Sequence, residues 1–562
     1  MNNDIMRKKI LFVSIVVSVF FVSWDFFILK PMKQKMLEQQ KTIEQLNVEN
    51  KNLKENPVNN EIVERENTAQ IEEKIVNFEN DFIKGSISNK GMKFAYIELK
   101  KYTEEINSEK KIQLLSDDYF VNFGWISDYK IELPNSETIW NIEENTDNKI
   151  VFSYVNNIGV KLYTTIILDD KYMFDIEQKV ENLSNKTIFL KSYTEIQKKH
   201  IAGDKYDLNR YLLTGVFNKG FEDVKIQKLK KRNYEFTNTK WFALSNNYWA
   251  TSIIANNNNV KTNFLQNGDF IKAQSISNEN ITVKSNGKYS IKYNLFAGAK
   301  DLKILDEYSK EKSIVLFDRI VDFGSLYILT KPMYLLLNLF NKFTKNFGIA
   351  ILLLTILVKL ILYPSTKKSF VSMAKMRQIQ PEMMRLQERY KNDKLTFSLK
   401  MQELYKNNNI SPFSGILILF IQIPIFFALY KVFTVTIEMR QAPFFGYLKD
   451  LSVMDPTSIF NLFGLLPFQV KAGLGLLPCL MALTMWMQQK MNDKMNSSVN
   501  NQQNGEFAKS MTSSMKWMPI IMLVMFSSLP SGLILYWVYN NIITMIQQYL
   551  INRKISKMPT KM

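Results

Sequence analysis

Two patterns of apolar residues alternate along this chain of 562 residues. Long apolar runs occur at both ends, and the first, Ile10 to Leu29, has about the 20 residues that a helix needs to cross a bilayer. Between 71 and 317 the runs are short, rich in Ile, Val, Tyr, Phe and Thr, and separated by Asn, Asp and Gly. Residues 160–168 alternate with a period of two, and Asp169-Asp170 then predicts a turn. The middle of the chain is therefore predicted to be one mostly antiparallel β domain.

The long apolar runs return after Asp322. We predict membrane spans at 347–363, 413–433, 474–487, 517–529 and 533–551. The segment 326–343 has Pro332 and lysines among its apolar residues, which is typical of a helix lying in the membrane interface. The predicted fold is an α-helical polytopic membrane protein with six transmembrane helices and a large all-β domain. Its parts are a signal anchor (1–30), a polar tether (31–70), the β domain (71–321) and a helical core (322–562), whose segment 364–412 forms a hairpin.

The distribution of charge predicts the side of the membrane for each loop. Three basic residues precede the first span and no small-residue cleavage site follows it, which favours an uncleaved anchor and a cytoplasmic N-terminus. The hairpin segment 364–412 is strongly basic, and so is the tail 552–562. The loop 434–470 has only two basic residues, Arg440 and Lys449. The hairpin and both termini are therefore predicted to be cytoplasmic, and the β domain to be outside.

The composition narrows the classes of chemistry. The net charge of +19 suggests nucleic-acid binding, but the basic residues form no stripe on one domain and many flank apolar spans. A single cysteine, Cys479, excludes an intrachain disulfide and is expected to be a buried thiol; with the single histidine, His200, it gives no zinc-ligand set. No nucleotide-binding motif of the G-x-x-x-x-G-K-[ST] type is present. We therefore expect no cofactor, no metal and no specific nucleic-acid sequence as a ligand.

Lys359 lies inside a predicted span, where a charge is costly and normally faces a partner or a wet cavity. Thr355 is one turn earlier on the same helix face. Other spans contribute Gln422, Tyr536, Asn540 and Asn541. One hypothesis is a shared polar cavity. The alternatives are that Lys359, only four residues before Tyr363, extends to the head groups, and that the amides make hydrogen bonds between helices.

The basic segment 364–412 is predicted to form two helices, because apolar residues recur at spacings of three and four on either side of a turn near Asn392-Asp393. It is either a solvated connector or a mobile hairpin that docks on the ribosome, on targeting factors or on lipid head groups. The candidate docking residues are Arg377, Arg385 and Arg389.

Four segments carry a resemblance to a known family: TILVKLILYPSTKKSFVSMAKMR at 355–377, IQIPIFFALY at 421–430, EMRQAPFFGYLKDLSVMDP at 438–456 and MPIIMLVMFSSLPSGLILYWVYNNIITMIQQYL at 518–550. They resemble the bacterial YidC insertases (the YidC/Oxa/Alb family), and the resemblance extends from about Asp322 to Arg553. The preceding domain resembles, in position, length and short pieces such as Phe296 to Lys300, the large periplasmic β-supersandwich of Gram-negative members.

The resemblance implies a five-helix core around a hydrophilic groove that is open to the cytoplasm and to lipid. The family's central basic residue, commonly arginine, falls on Lys359. The groove lining falls on Thr355, Gln422, Tyr536 and Trp537, and a hydrophobic slide for substrates on Ile423, Phe426, Phe427 and Phe526. The implied partners are nascent membrane proteins, the Sec translocon, the ribosome with the signal-recognition targeting machinery, and the phospholipid bilayer. The implied location is the inner membrane, with the β domain in the periplasm and no enzymatic activity.

Two other classes of function remain open from the sequence. Lys359 could be the ion site of a channel or secondary transporter, which paired discontinuous helices or an acidic partner within the spans would favour. The β domain could bind or modify glycans, which a cluster of His and carboxylate residues would favour. Neither feature is evident in the sequence.

Overall fold

The computed structural model describes residues 72–199, 211–256, 259–410, 414–460, 474–500 and 517–555. The predicted signal anchor and tether, His200 and the end of the tail lie outside these ranges. From Glu73 onward the described residues belong to one compact unit.

The first half of the described chain is built of β-strands. They are β1 (Ile75–Glu79), β2 (Ile83–Ser88), β3 (Phe94–Thr103), β4 (Lys111–Leu115), β5 (Tyr119–Ile126), β6 (Asn141–Asn145), β7 (Lys149–Val155), β8 (Val160–Leu168), β9 (Met173–Asn182), β10 (Ile188–Lys199), β11 (Leu212–Phe217), β12 (Gly220–Lys225), β13 (Tyr234–Thr237), β14 (Trp241–Ser245), β15 (Trp249–Ala255), β16 (Val260–Asn267), β17 (Phe270–Ser277), β18 (Ile281–Val283) and β19 (Lys288–Ala299).

The strands form three antiparallel sheets. The nine-stranded sheet has the order β12-β11-β14-β15-β19-β9-β8-β7-β6, and a four-stranded sheet has the order β1-β2-β3-β4. The six-stranded sheet has the order β13-β16-β17-β10-β18, with β5 also paired to β10. Tyr293 of the nine-stranded sheet donates a hydrogen bond to Ser192 of the six-stranded sheet, 2.9 Å away, so these faces lie against each other. The prediction of a mostly antiparallel β domain is confirmed.

The period-two pattern of the sequence determines which side chains enter the core. In β8 the buried positions alternate from Val160 to Ile166, and the strand pairs with β9 around the aspartate turn. Asp169 stabilises this turn, because its carboxylate accepts hydrogen bonds from the backbone N–H groups of Lys171 and Met173, both at 2.9 Å. The alternation therefore places one face of each strand between the sheets.

Helices dominate the remainder of the described chain. They are α1 (Ile226–Leu229), α2 (Leu302–Glu311), α3 (Tyr327–Thr344), α4 (Phe347–Gln378), α5 (Gln380–Arg389), α6 (Lys394–Asn407), α7 (Ser414–Val435), α8 (Leu476–Asn500), α9 (Trp517–Phe526) and α10 (Ser531–Ile555). Helix α10 contacts α4, α7 and α8, and α7 also contacts α3 and α4. These helices enclose the polar residues discussed below.

Only one helix among the described residues, Phe347–Met376, is long and apolar enough to cross a membrane by itself. Phe420–Val435 and Trp517–Phe526 are shorter apolar helices. The number of six spans therefore remains a prediction.

Helix α4 contains the span predicted at 347–363 and extends beyond it. The helix continues through Pro364 to Gln378 and carries the span directly into the basic hairpin. Proline removes one backbone donor, and a helix tolerates this loss where the freed carbonyl finds another partner. Cys479 differs from expectation, since it is half-buried rather than buried.

The β domain and the helices meet through polar contacts. Lys431 of α7 forms an ion pair with Asp322, with Nζ and Oδ2 2.6 Å apart. Arg440, which follows α7, donates to the carbonyl oxygens of Thr103 at 2.5 Å and Glu104 at 3.0 Å. The end of β3 is thereby fixed to the loop after α7.

Candidate functional site

Lys359 and Thr355 lie on the same face of α4, and both are buried, with 5% and 0% of their surfaces exposed. The Nζ of Lys359 donates a hydrogen bond to Oγ1 of Thr544 on α10, 2.8 Å away. In the described part of the chain, no carboxylate oxygen lies within 4 Å of this amino group. The lysine therefore points into the helix bundle, toward α10, and its charge has a neutral partner.

Helix α10 presents a stripe of polar side chains to its neighbours, which we call the polar stripe. It consists of Tyr536, Asn540, Thr544, Gln547 and Gln548, and all except the half-buried Gln547 are buried. The spacings of three and four residues place these side chains on one helix face, over about 18 Å at 1.5 Å per residue. Lys359 meets the stripe near its middle.

Three further hydrogen bonds join α10 to other helices. The amide of Gln422 on α7 donates to the Tyr536 hydroxyl at 2.7 Å. Asn541 donates to Thr484 at 3.1 Å, and Gln548 donates to Asn492 at 2.8 Å, both on α8. The structure thus brings Gln422 and Tyr536 together. All three bonds join different helices, as expected under the alternative that these amides make interhelical hydrogen bonds.

Two acceptors on the stripe have no partner among the described residues. They are Oδ1 of Asn540 and Oε1 of Gln547, and both atoms are buried. Nε2 of Gln547 lies 3.5 Å from the carbonyl oxygen of Lys359. A buried acceptor without a donor costs about 1–3 kcal/mol. The stripe can therefore accept hydrogen bonds from a donor that the chain itself does not supply.

Aromatic residues of α7, α9 and α10 form a cluster. The rings of Phe426 and Phe526 are stacked with centroids 5.6 Å apart, and Trp537 meets both edge-on at 5.4 and 5.1 Å. Phe426 and Phe526 are buried, whereas Ile423 and Phe427 are half-buried. Trp537 therefore lies with the aromatic residues, and it is half-buried like Ile423 and Phe427.

The basic hairpin is formed by α5 and α6, which contact each other. Arg385 and Arg389 are exposed on α5. Arg377 is within α4, but its side chain lies outside the described residues. The hairpin thus presents at least two arginines to solvent.

The sequence did not identify several residues of this site. Thr544, Gln547 and Gln548 continue the spacing of Asn540 by three or four, so this spacing was the available signal. Thr484 and Asn492 on α8 were not identifiable, because their role depends on which face of α8 meets α10.

A buried charge marks the junction between the β domain and the helices. Lys300, directly after β19, is 2% exposed. Burial lowers the pKa of its amino group to about 7; Asp322 opposes this effect and Lys431 adds to it. The junction therefore holds an amine that loses its proton near neutral pH.

Among the described residues, no group of three or more His, Cys, Asp and Glu side chains could hold a metal ion. The site is thus built from one ammonium group, amides and hydroxyls.

Comparison with known proteins identifies relatives over nearly the whole chain. The model of the YidC periplasmic domain matches residues 75–336, and the model of the 60Kd inner membrane protein matches residues 339–558. The membrane protein insertase YidC of Rickettsia bellii (strain OSU 85-389) is 38% identical, and that of Rickettsia canadensis (strain McKiel) 37% identical. Each alignment covers 98% of this chain and 100% of the relative.

Two solved structures are also similar. A crystal structure of an active YidC insertase with the first transmembrane domain resolved aligns with 86% of this chain and 93% of its own, at 19% identity and a TM-score of 0.33. A galactose mutarotase-like protein from Lactobacillus casei ATCC 334 covers 40% of this chain and 100% of its own, at 11% identity and a TM-score of 0.32. Both TM-scores are too low to support a statement about function. The sequence relatives and the two family models show that the chain belongs to the YidC membrane protein insertase family.

Proposed function

We propose that this protein is a non-catalytic insertase of the inner membrane that transfers nascent membrane proteins into the bilayer through a hydrophilic groove along the polar stripe of α10. The observation that carries the proposal is the buried amino group of Lys359, whose partner among the described residues is the hydroxyl of Thr544. Burying an ammonium group without a carboxylate partner costs free energy. A substrate residue that supplies a negative charge to this group therefore binds favourably. The names of the relatives support the same function.

The first step is the entry of a polar or acidic outer segment of the substrate. A carboxylate that reaches Lys359 replaces the neutral hydroxyl of Thr544 with a charged acceptor, and charge-assisted hydrogen bonds are roughly twice as strong as neutral ones. The buried acceptors of Asn540 and Gln547 are available to backbone N–H groups of the same segment. The groove thereby lowers the cost of removing this segment from water.

The second step is the release of the apolar part of the substrate into lipid. Apolar surface gains about 25 cal/mol for each Å² removed from water. Ile423 and Phe427, which have free surface beside the aromatic cluster, provide the apolar path. The span predicted at 517–529 is short for a bilayer crossing, and its described helix is Trp517–Phe526. A short span of this kind thins the bilayer locally and shortens the crossing.

The remaining features of the proposal concern topology and partners. Six spans place both termini and the hairpin in the cytoplasm and the β domain in the periplasm. The exposed Arg385 and Arg389 suit docking on the ribosome or the targeting machinery, whose surfaces steer by charge. The protein acts alone or beside the Sec translocon. A channel or secondary transporter is not favoured, because the described spans offer Lys359 no acidic partner.

Insertion into proteoliposomes tests the role of Lys359, using paired substrates that differ only in the charge of the outer segment. Lys359→Arg should retain activity. Lys359→Met and Lys359→Ala should slow the acidic substrate about 10- to 100-fold, because a hydrogen bond to a charged group contributes about 1.5–3 kcal/mol. The neutral substrate should be affected much less.

The matched control is Lys367→Met, which removes an exposed lysine eight residues later in the same helix. It should leave both substrates unchanged. Equal rates for Lys359→Met and the unmodified protein on both substrates would exclude a groove role for Lys359.

A further inference from the structure

The β domain carries one strongly basic segment, residues 225–232, with the sequence KIQKLKKR. We call it the basic loop. Its cations are Lys225, Lys228, Lys230, Lys231 and Arg232, and all five are exposed. In the described part of the chain none of them forms an ion pair, and Arg232 lies over the ring of Tyr234 at 4.5 Å. The basic loop therefore has four lysines without an acidic partner among the described residues, and an arginine that lies against an aromatic ring.

Apolar side chains hold the basic loop in place. Ile226 and Leu229 of α1 are 2% and 4% exposed, and α1 contacts β12 and β16. The two buried side chains attach the loop to both sheets, and Lys228 between them is exposed. The conformation therefore does not depend on the positive charges, which can be changed without removing core contacts.

The register of the nine-stranded sheet places the basic loop beside the helices. Lys225 of β12 is paired with Leu212 of β11, which is paired with Ser245 of β14. Two strand spacings separate Lys225 from Ser245, or about 10 Å. The basic loop thus begins close to the turn that joins β14 to β15.

That turn contacts the loop after α7. The guanidinium of Arg440 lies 5.4 Å from the ring centroid of Trp249 and 6.0 Å from that of Tyr248. Arg440 is five residues beyond Val435, where α7 ends. If α7 spans the bilayer, as the proposed function requires, Arg440 and the two aromatic residues lie at head-group depth, where Trp and Tyr are enriched.

We propose that the basic loop binds the anionic phospholipid head groups of the leaflet that faces the β domain. The partner is indicated by charge and by position: the loop has five exposed cations and no acidic residue, and its first residue, Lys225, lies about 10 Å from the edge that contacts the loop after α7. Each basic residue near an anionic membrane surface strengthens association about five-fold. The Debye length at physiological salt is about 8 Å, so the attraction requires the cations to lie within about this distance of the head groups, and it weakens as salt increases.

The full chain in lipid nanodiscs tests the proposal. In a Cys479→Ser background, a fluorophore at Asn233→Cys reports the distance to lipids that carry a quencher on the head group. Asn233 is exposed and adjoins the loop without being one of its cations. We expect several-fold stronger quenching in discs with anionic lipid than in zwitterionic discs, and loss of that difference in high salt.

Charge reversal distinguishes an effect of the basic loop from an effect of the net charge of the β domain. The variant Lys228→Glu, Lys230→Glu and Lys231→Glu should lose the anionic-lipid effect. The matched control reverses three exposed lysines, Lys130, Lys186 and Lys284, at the other end of the domain. They lie near the start of β10, where Asn182 donates to the carbonyl oxygens of Lys186 and Lys284. The control should keep the effect, and both variants should keep the thermal midpoint of the parent protein.

Equal quenching in anionic and zwitterionic discs would overturn the proposal. So would an equal loss in the reversed variant and its control, which would show a general charge effect. Quenching that appears only when a substrate with an acidic outer segment is added would assign the basic loop to that substrate and not to lipid. The readout is independent of insertion activity, so it is informative whether or not the groove mechanism holds.

Discussion

Replacing Lys300 by methionine should stabilise the β domain, and the gain should depend on pH. Lys300 is 2% exposed at the junction between β19 and the helices. Burial lowers the pKa of its amino group from 10.5 to about 7. The charge of Lys431 contributes to this decrease, and the charge of Asp322 opposes it. This decrease corresponds to about 5 kcal/mol, the cost of keeping the amine charged in the folded state. Methionine has a similar volume and no charge, so it removes this cost.

The sign follows from proton binding. Between pH 7 and 10.5 the unfolded chain holds a proton on Lys300 and the folded chain does not, so stability rises with pH across this window. Below pH 7 both states are protonated and the full cost is present. The gain from Lys300→Met should therefore be greatest at pH 7 and below, and should fall by about 2–3 kcal/mol at pH 9.

Thermal unfolding in detergent, followed by tryptophan fluorescence, measures this effect. For a domain of this size about 1 kcal/mol corresponds to roughly 2–4 °C, so the difference in midpoint between variant and parent should shrink by about 5–10 °C from pH 7 to pH 9. Lys303→Met, at an exposed lysine of α2, is the control and should show no such trend. Parallel pH profiles of the parent and Lys300→Met would refute a buried, titrating Lys300.

Two further predictions concern the hairpin and the β domain. Charge reversal at Arg385 and Arg389 should leave the helices folded and weaken crosslinking to ribosome–nascent-chain complexes severalfold. The decrease should be larger at low salt, where charges are less screened. Unchanged crosslinking would show that the hairpin is only a connector. Removal of residues 75–317 keeps the ion pairs Lys331–Asp318 and Lys431–Asp322 and leaves the polar stripe intact. At least half of the insertion activity should remain in proteoliposomes, and complete loss with a folded core would contradict a groove-based mechanism.

Local pattern was sufficient for much of the architecture. The alternation of residues 160–168 predicts a half-buried strand because a strand has a period of two, and the observed burial follows it. The apolar residues around Lys359 predict a helix in an apolar environment, because a long continuous apolar run is typical of a membrane-spanning helix. The motifs around Gln422 and Tyr536 indicated the family, which the full-length relatives confirm.

Sequence pattern does not decide the surroundings of a residue where two arrangements are physically possible. The helix that contains the predicted span 347–363 continues through Pro364 to Gln378, although proline removes one backbone donor. The family resemblance implies a substrate slide that includes Phe426 and Phe526, and these two rings stack on each other in a buried cluster with Trp537. Their burial depends on the approach of α9 and α10 to α7, which local sequence does not encode.

The direction of Lys359 and the burial of Lys300 illustrate the division between sequence and tertiary structure. The sequence by itself determined that Lys359 carries a charge within an apolar helix, and that Lys300 follows a strand. Only tertiary packing decided that Lys359 donates to Thr544, 185 residues away, and that Lys300 lies beside Asp322 and Lys431. Side-chain type and period are local properties of the chain, whereas burial and hydrogen-bond partners depend on segments distant in sequence that fold against it.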